Sequence, residues 1–242
     1  MSLFTDGTMS TIDDLAAHDA GLLDVASTEG IDVAKKLTLA QDDLELELTG
    51  LLPACDRLSN VVVTTALRLW HAYRSLELVY SDAYNSQLND RYMGKRDQFR
   101  HMAVSHRERL MEAGAGMASI PVPRAMTAVL AAAPGSLPDN IYYATAAWVN
   151  RANEEGASAI PAAIATSSSS FSARLGPAPA NATGWNVYVG MDPDSMALQN
   201  SSPLGIGAVW VQPVWISATG RKPGCGQVPS YVQALTRIVQ RG

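Results

Sequence analysis

At 242 residues and 47% hydrophobic side chains, the chain is long enough for one large domain or two modest ones and can fill a real core. Its formal charge of −5 is unevenly spread: residues 1–56 hold 12 acids and 2 bases, whereas residues 57–113 hold 6 acids and 9 bases. An acidic front repels phosphates and disfavours sequence-reading of nucleic acid, although it would suit a wall beside passing DNA; with no charged-then-apolar leader and no apolar run near about 20 residues, folding in cytoplasm without membrane insertion is expected.

From Thr11 to about Ala115 the apolar residues recur at three and four. A first helix follows the capping residues Ser10 and Thr11, with Asp13 and Asp14 at the positive end of its dipole. It turns Ile12, Leu15, Leu22 and Val25 inward and stops at Thr28 to Gly30. A second helix aligns Ile31, Ala34, Leu37, Leu44, Leu48 and Leu51 and stops near Gly50 and Pro53. The third is the most regular: Val62, Ala66, Leu69, Tyr73, Leu76, Tyr80 and Ala83 form a seam packed along its length, broadened by Trp70. A fourth begins around Gln87, shows Leu88, Tyr92, Phe99, Ala103 and Leu110 on one side, and ends at Gly114 and Gly116. Four helices with short links predict an antiparallel bundle.

After Ile120 the pattern changes to short β-branched or aromatic runs between Gly, Pro, Asp and Asn: AMTAVLAAA, NIYYATAAWVN, SAIPAAIAT, SFSARLG, GWNVYVGM, SMALQ and AVWVQPVWIS. Their spacing predicts about seven strands of an all-β sandwich. In WNVYVG, Trp185, Val187 and Val189 should face one way and Asn186 and Tyr188 the other. Ser167 to Ser170 reads as a turn. Beyond Pro229, Tyr231, Val232, Leu235, Ile238 and Val239 fall on one helical stripe, fit to dock on the chain's own domain or on a partner. The expected class is therefore multidomain α+β: a helical domain over 10–117, a β-sandwich over 118–217 and a C-terminal extension over 218–242 with a short amphipathic helix.

No catalytic pattern emerges. His18, His71, His101 and His106 lack a Glu three residues ahead, so the ligand set of a di-metal bundle is missing. Neither a nucleophile elbow, a dinucleotide loop nor a phosphate loop is present, and Cys55 and Cys225 stand alone as ordinary thiols. No enzyme, metal or cofactor is expected. YSDAYNSQLNDRYMGKRDQF, Tyr80 to Phe99, is dense in aromatics and charges without catalytic spacing.

The segment VVVTTALRLWHAYRSLELVYSDAYNSQLNDRYMGKRDQF, with the preceding IDVAKKLTLAQDDLELELTGLL, resembles head-to-tail connector (adaptor) proteins of tailed bacteriophages. NIYYATAAWVNRANEEGASA, PANATGWNVYVG, SMALQN and SPLGIGAVWVQP resemble the fibronectin-III or immunoglobulin-like modules fused to virion proteins. The resemblance implies a structural protein of the virion neck: a homo-oligomeric ring, a dodecamer, that binds the portal, receives a tail or collar protein and extends the channel through which DNA passes without sequence-specific contact. On that basis Tyr80, Asp82, Tyr84, Asp90, Arg91, Tyr92 and Lys95 are candidates for the subunit interface, and Tyr231, Leu235 and Ile238 for portal docking. The alternative for the first set is an intramolecular corner, its tyrosines packed on the bundle and its charges fixing the turn. The alternative function is a carbohydrate- or surface-binding module with Trp148, Trp185, Trp210 and Trp215 as its platform, though tryptophans on strands more often fill a core.

Overall fold

The computed structural model of the protein describes residues 2–52, 57–87, 90–224 and 226–233. The chain is α+β, a helical N-terminal region followed by antiparallel sheets. It divides into two compact units, each built from separate stretches of chain: Gly7–Met117 with Pro229–Gly242, and Met1–Asp6 with Ala118–Val228. Met117 closes the long stretch of the helical unit, and residues 118–228 run without interruption through the sheet unit.

Among the described residues the first unit holds five α-helices: α1 (Ile12–His18), α2 (Leu22–Glu29), α3 (Val33–Leu51), α4 (Thr65–Gln87) and α5 (Met93–Ala113). Thr11 caps α1 in a reciprocal box with Asp14, which satisfies two otherwise orphaned N–H groups. The single helix expected over 12–28 is broken at Asp19, whose carbonyl accepts from Leu22 and whose carboxylate accepts from the Gly21 N–H. Gly30, at φ 67°, ends α2, and the Asp32 side chain caps α3. The buried seam of α3 is Val33, Leu37, Ala40, Leu44 and Leu48; Ala34, expected inward, is exposed. No described side chain between Leu69 and Tyr80 of α4 is fully exposed, because α1, α2, α3 and α5 all pack against that helix. One apolar cluster runs from Leu15, Leu22 and Leu37 through Leu76, Val79 and Tyr80 to Tyr92 and Phe99. A short strand, β1 (Ala115–Met117), follows α5.

The second unit holds β2 (Val129–Ala133), β3 (Asn140–Asn150), β4 (Ala162–Thr166), β5 (Ser170–Arg174), β6 (Ala182–Gly190), β7 (Ala197–Leu198), β8 (Leu204–Gly205) and β9 (Trp210–Val211). Each of the seven apolar runs picked out in the sequence overlaps one of these strands, with β6 starting two residues ahead of its run. They form two antiparallel sheets, ordered β2-β5-β9 and β4-β3-β6-β7, with β8 also pairing β6. The central pair places Trp148 opposite Trp185 and Ala146 opposite Val187. Both sheets feed one core, with Tyr142, Trp148, Trp185, Val187 and Val189 from one and Phe171, Ala173 and Trp210 from the other. The expected alternation along β6 is seen: Tyr188 belongs to a separate cluster with Ala147 and Met196. The chain turns between β4 and β5 at Ser168, at φ 47°.

Strand β10 (Ser230–Val232) returns to the helical unit and pairs with β1, Ala115 opposite Val232. This corrects the helical reading of the tail's start, since Tyr231 and Val232 are extended. Leu235, Ile238 and Val239 lie outside the described residues.

Candidate functional site

The polar-aromatic stretch becomes the corner between α4 and α5, and its centre is a carboxylate from elsewhere in the chain. Asp19, 7% exposed at the break after α1, accepts from the Tyr80 hydroxyl, the Lys95 ammonium and the Gly21 N–H. The Lys95 nitrogen also lies 5.4 Å from the centre of the Tyr80 ring, which stacks on Phe99 at 5.4 Å. Tyr92 donates to Glu29 at 2.9 Å and Ser86 to the other Glu29 oxygen at 3.0 Å, so α2 holds both sides of the corner. Burial pushes the Asp19 carboxyl up, but the bonds from Lys95, Tyr80 and Gly21 outweigh it and leave the group below its ordinary value. Burial and the Asp19 carboxylate push the Tyr80 phenol well up, which makes it a fixed proton donor to the carboxylate.

The remaining residues of the predicted set spread outward from this clamp. Asp82 pairs with Lys36 of α3. Tyr84 is half-buried under the Arg96 guanidinium, 4.3 Å from its ring centre. The Arg91 guanidinium lies 5.6 Å from the Tyr92 ring centre, and both Asp90 and Arg91 are exposed. Beside the corner an open cleft of about 510 Å³ is lined by Glu29, Asp32, Lys35, Lys36, Asp82 and Ser86. The structure therefore gathers Tyr80, Tyr92 and Lys95 around Asp19 and Glu29, with Tyr80 and Tyr92 turned inward. Asp82, Asp90 and Arg91 face out. Sequence spacing did not identify Asp19 and Glu29 as the partners, because they stand 61 and 63 positions from the tyrosines they bind.

A second polar centre lies in the β unit. Glu155 is 1% exposed, and its Oε1 accepts from Asn186, Tyr188 and Arg221. Its Oε2 has no hydrogen-bond partner among the described residues. Burial and the Glu155 carboxylate push the Tyr188 phenol well up. Asn200 extends the chain of bonds by donating to Asn186 at 2.7 Å and accepting from the Val187 N–H at 2.9 Å. This centre ties β6 to the segment after β9, and no local motif in the sequence announces it.

Trp148, Trp185 and Trp210 lie in the core, so a four-tryptophan platform is not formed; Trp215 is 76% exposed. Tyr231 is exposed on β10. Among the described residues no group of three or more His, Cys, Asp or Glu is placed to hold a metal ion, and no helix is long and apolar enough to cross a membrane.

Fold and centres together define an α+β protein with two cores, each carrying a carboxylate clamped by a tyrosine and a cation. No family model matches the chain, and no curated protein matches it either.

Proposed function

We propose that the chain is a non-enzymatic structural subunit of a virion neck. It is a ring-forming adaptor that joins the portal to the tail of a tailed bacteriophage, extends the DNA channel, and is assembled in the host cytoplasm. In this reading the two-sheet unit is an immunoglobulin/fibronectin-III-like sandwich and the ring has twelve copies.

The α4–α5 corner is the observation that supports the reading best. Its inward members are immobilised by Asp19 and Glu29, so the exposed Asp90 and Arg91 stand on a fixed base. Charges held this way lose little freedom on binding, and a patch that meets a different patch on the next copy closes into a ring. The exposed carboxylates Asp13, Asp24, Asp42 and Glu45 suit a wall along which DNA slides without adhering. Tyr231, with Leu235 and Ile238 beyond it, is assigned to the grip on the portal.

The test is light scattering after size exclusion, with negative-stain imaging of the protein mixed with a portal. Asp90→Ala or Arg91→Ala should reduce ring formation while leaving the melting temperature nearly unchanged. A chain that stays monomeric and never joins a portal ring would remove the proposal.

Trp215 favours a second reading, a carbohydrate- or surface-binding module, because it is exposed in a short stretch of chain that also exposes Val211 and Val214. Glycan-array binding that Trp215→Ala abolishes in a folded chain would favour this reading over the first.

A further inference from the structure

Residues 2–6 belong to the sheet unit, although the residues that follow them belong to the helices: the chain passes from one unit to the other between Asp6 and Gly7. This short arm is firmly seated. Leu3 and Phe4 are each 2% exposed, and Phe4–Asp6 forms a single 3-10 turn. Asp6 closes that turn on itself, since its Oδ2 accepts from the Leu3 N–H at 2.7 Å and its own N–H donates to the Leu3 carbonyl at 3.0 Å. Its Oδ1 accepts from the Arg124 N–H at 2.8 Å, 118 positions away in the sheet unit.

The link from the arm to the helices is of a different kind. Gly7 and Thr8 are both exposed, and Gly7 has a φ of 117° in open space, where a Cβ would meet no atom within 4 Å. Met9 and Ser10 are buried again, and Ser10 donates to the Arg68 carbonyl of α4 at 3.4 Å. A hinge of two residues therefore separates an arm anchored on one unit from a chain anchored on the other. The units stay joined at 117/118 and 228/229 when the arm lets go. Every contact that seats the arm is offered equally by an identical copy, so exchanging arms between copies breaks and makes the same interactions. Local concentration then decides between the two seats, and a closed ring holds adjacent copies at about millimolar effective concentration.

We propose that in the assembled ring residues 2–6 of each copy seat on the sheet unit of the next, with Leu3 and Phe4 buried there and Asp6 bonded to the Arg124 N–H of that copy. The proposal rests on the ring-forming reading above and names the contact that links its subunits. Arm and seat are different surfaces, so the exchange runs head to tail, as a ring requires. Three Cα steps separate Asp6 from Met9, which places the seat on the next copy within about 11 Å of Met9.

Cysteines at the two ends of the Asp6–Arg124 bond test it. In a chain carrying Cys55→Ser, Cys225→Ser, Asp6→Cys and Arg124→Cys, oxidation of the free subunit should give a disulfide within one chain. Oxidation of the ring assembled on a portal should instead give a ladder of chains linked to one another on a non-reducing gel. Disulfides that stay within single chains of an intact ring would overturn the exchange and leave the ring reading standing, whereas the absence of any ring would remove both. A chain lacking residues 1–6 gives a second reading without cysteines: its rings should dissociate at a protein concentration at least about tenfold higher than those of the full chain. Rings of undiminished stability would overturn the proposal.

Discussion

The carboxylate of Glu155 shows how much one buried charge depends on its surroundings. Three donors converge on Oε1, and only one of them, Arg221, carries a compensating charge. The Arg221 side chain is 40% exposed and can relax into water when the pair is broken, but Glu155, at 1%, cannot. Removing the cation should therefore cost more than neutralising the anion. Arg221→Met is expected to destabilise the β unit by roughly 2–3 kcal/mol, because it leaves an uncompensated carboxylate among neutral groups. Glu155→Gln keeps an acceptor for Tyr188 and Asn186 and should cost about 1 kcal/mol. The double variant should be more stable than Arg221→Met alone, and urea unfolding of the four chains measures that coupling directly. Equal and additive losses would show that the ion pair is a surface contact of little weight. The sequence could not disclose this centre, since Glu155 and Arg221 are 66 positions apart and each lies in a stretch rich in glycine and polar residues.

At the scale of single elements, Gly114 does more than end a helix. Its φ is 91°, and a Cβ there would lie 2.7 Å from the Val232 carbonyl oxygen and 2.9 Å from the Gln233 side chain. Gly114→Ala would therefore strain the end of α5 and push β10 off β1. A loss of about 1–3 kcal/mol is expected, with exchange protection at 230–232 falling first. Gly30 makes the contrast: its φ is 67°, but a Cβ added there would meet nothing within 4 Å, so Gly30→Ala should cost only the local backbone strain, about 1 kcal/mol. The sequence marked both glycines as helix stops, which local conformation dictates. It did not mark β10, because Tyr231 and Val232 fit a helical period equally well and only pairing with β1 makes them extended. The break between α1 and α2 was hidden for a similar reason. Ile12, Leu15, Leu22 and Val25 suit one continuous helix, and the interruption serves Asp19, whose partners Tyr80 and Lys95 are 61 and 76 residues away. The strands were more legible, because β6 declares its two faces residue by residue in Trp185, Asn186, Val187, Tyr188 and Val189.

For the whole molecule, all four histidines, His18, His71, His101 and His106, fall in the helical unit. His71 is fully buried on α4, and its Nε2 makes a 3.0 Å bond with the Leu37 carbonyl, which identifies that nitrogen as the protonated one of a neutral ring. Its Nδ1 is buried with no partner among the described residues, so a second proton would enter a space that offers it no acceptor. Burial pushes the His71 pKa down, and the Leu37 carbonyl only partly offsets this. His106, stacked on Tyr73 at 5.0 Å, is likewise pushed down by burial and by the nearby Arg109 and His18. A folded-state value below the unfolded one means that the unfolded chain takes up the proton first as pH falls. Stability should thus be lost as pH drops below the ordinary histidine value near about 6.5, by on the order of 1 kcal/mol for His71 between pH 7.5 and 5.5. The β unit holds no histidine and should show no matching loss over that interval. Hydrogen exchange at the two pH values, corrected for intrinsic rates, reads the units separately: α3 and α4 should lose protection while β3 and β6 keep theirs. His71→Leu should flatten the response of the helices, even if it lowers their stability at both pH values by removing the bond to Leu37. A loss shared equally by both units, or one unchanged in His71→Leu, would assign the pH sensitivity to groups other than this ring.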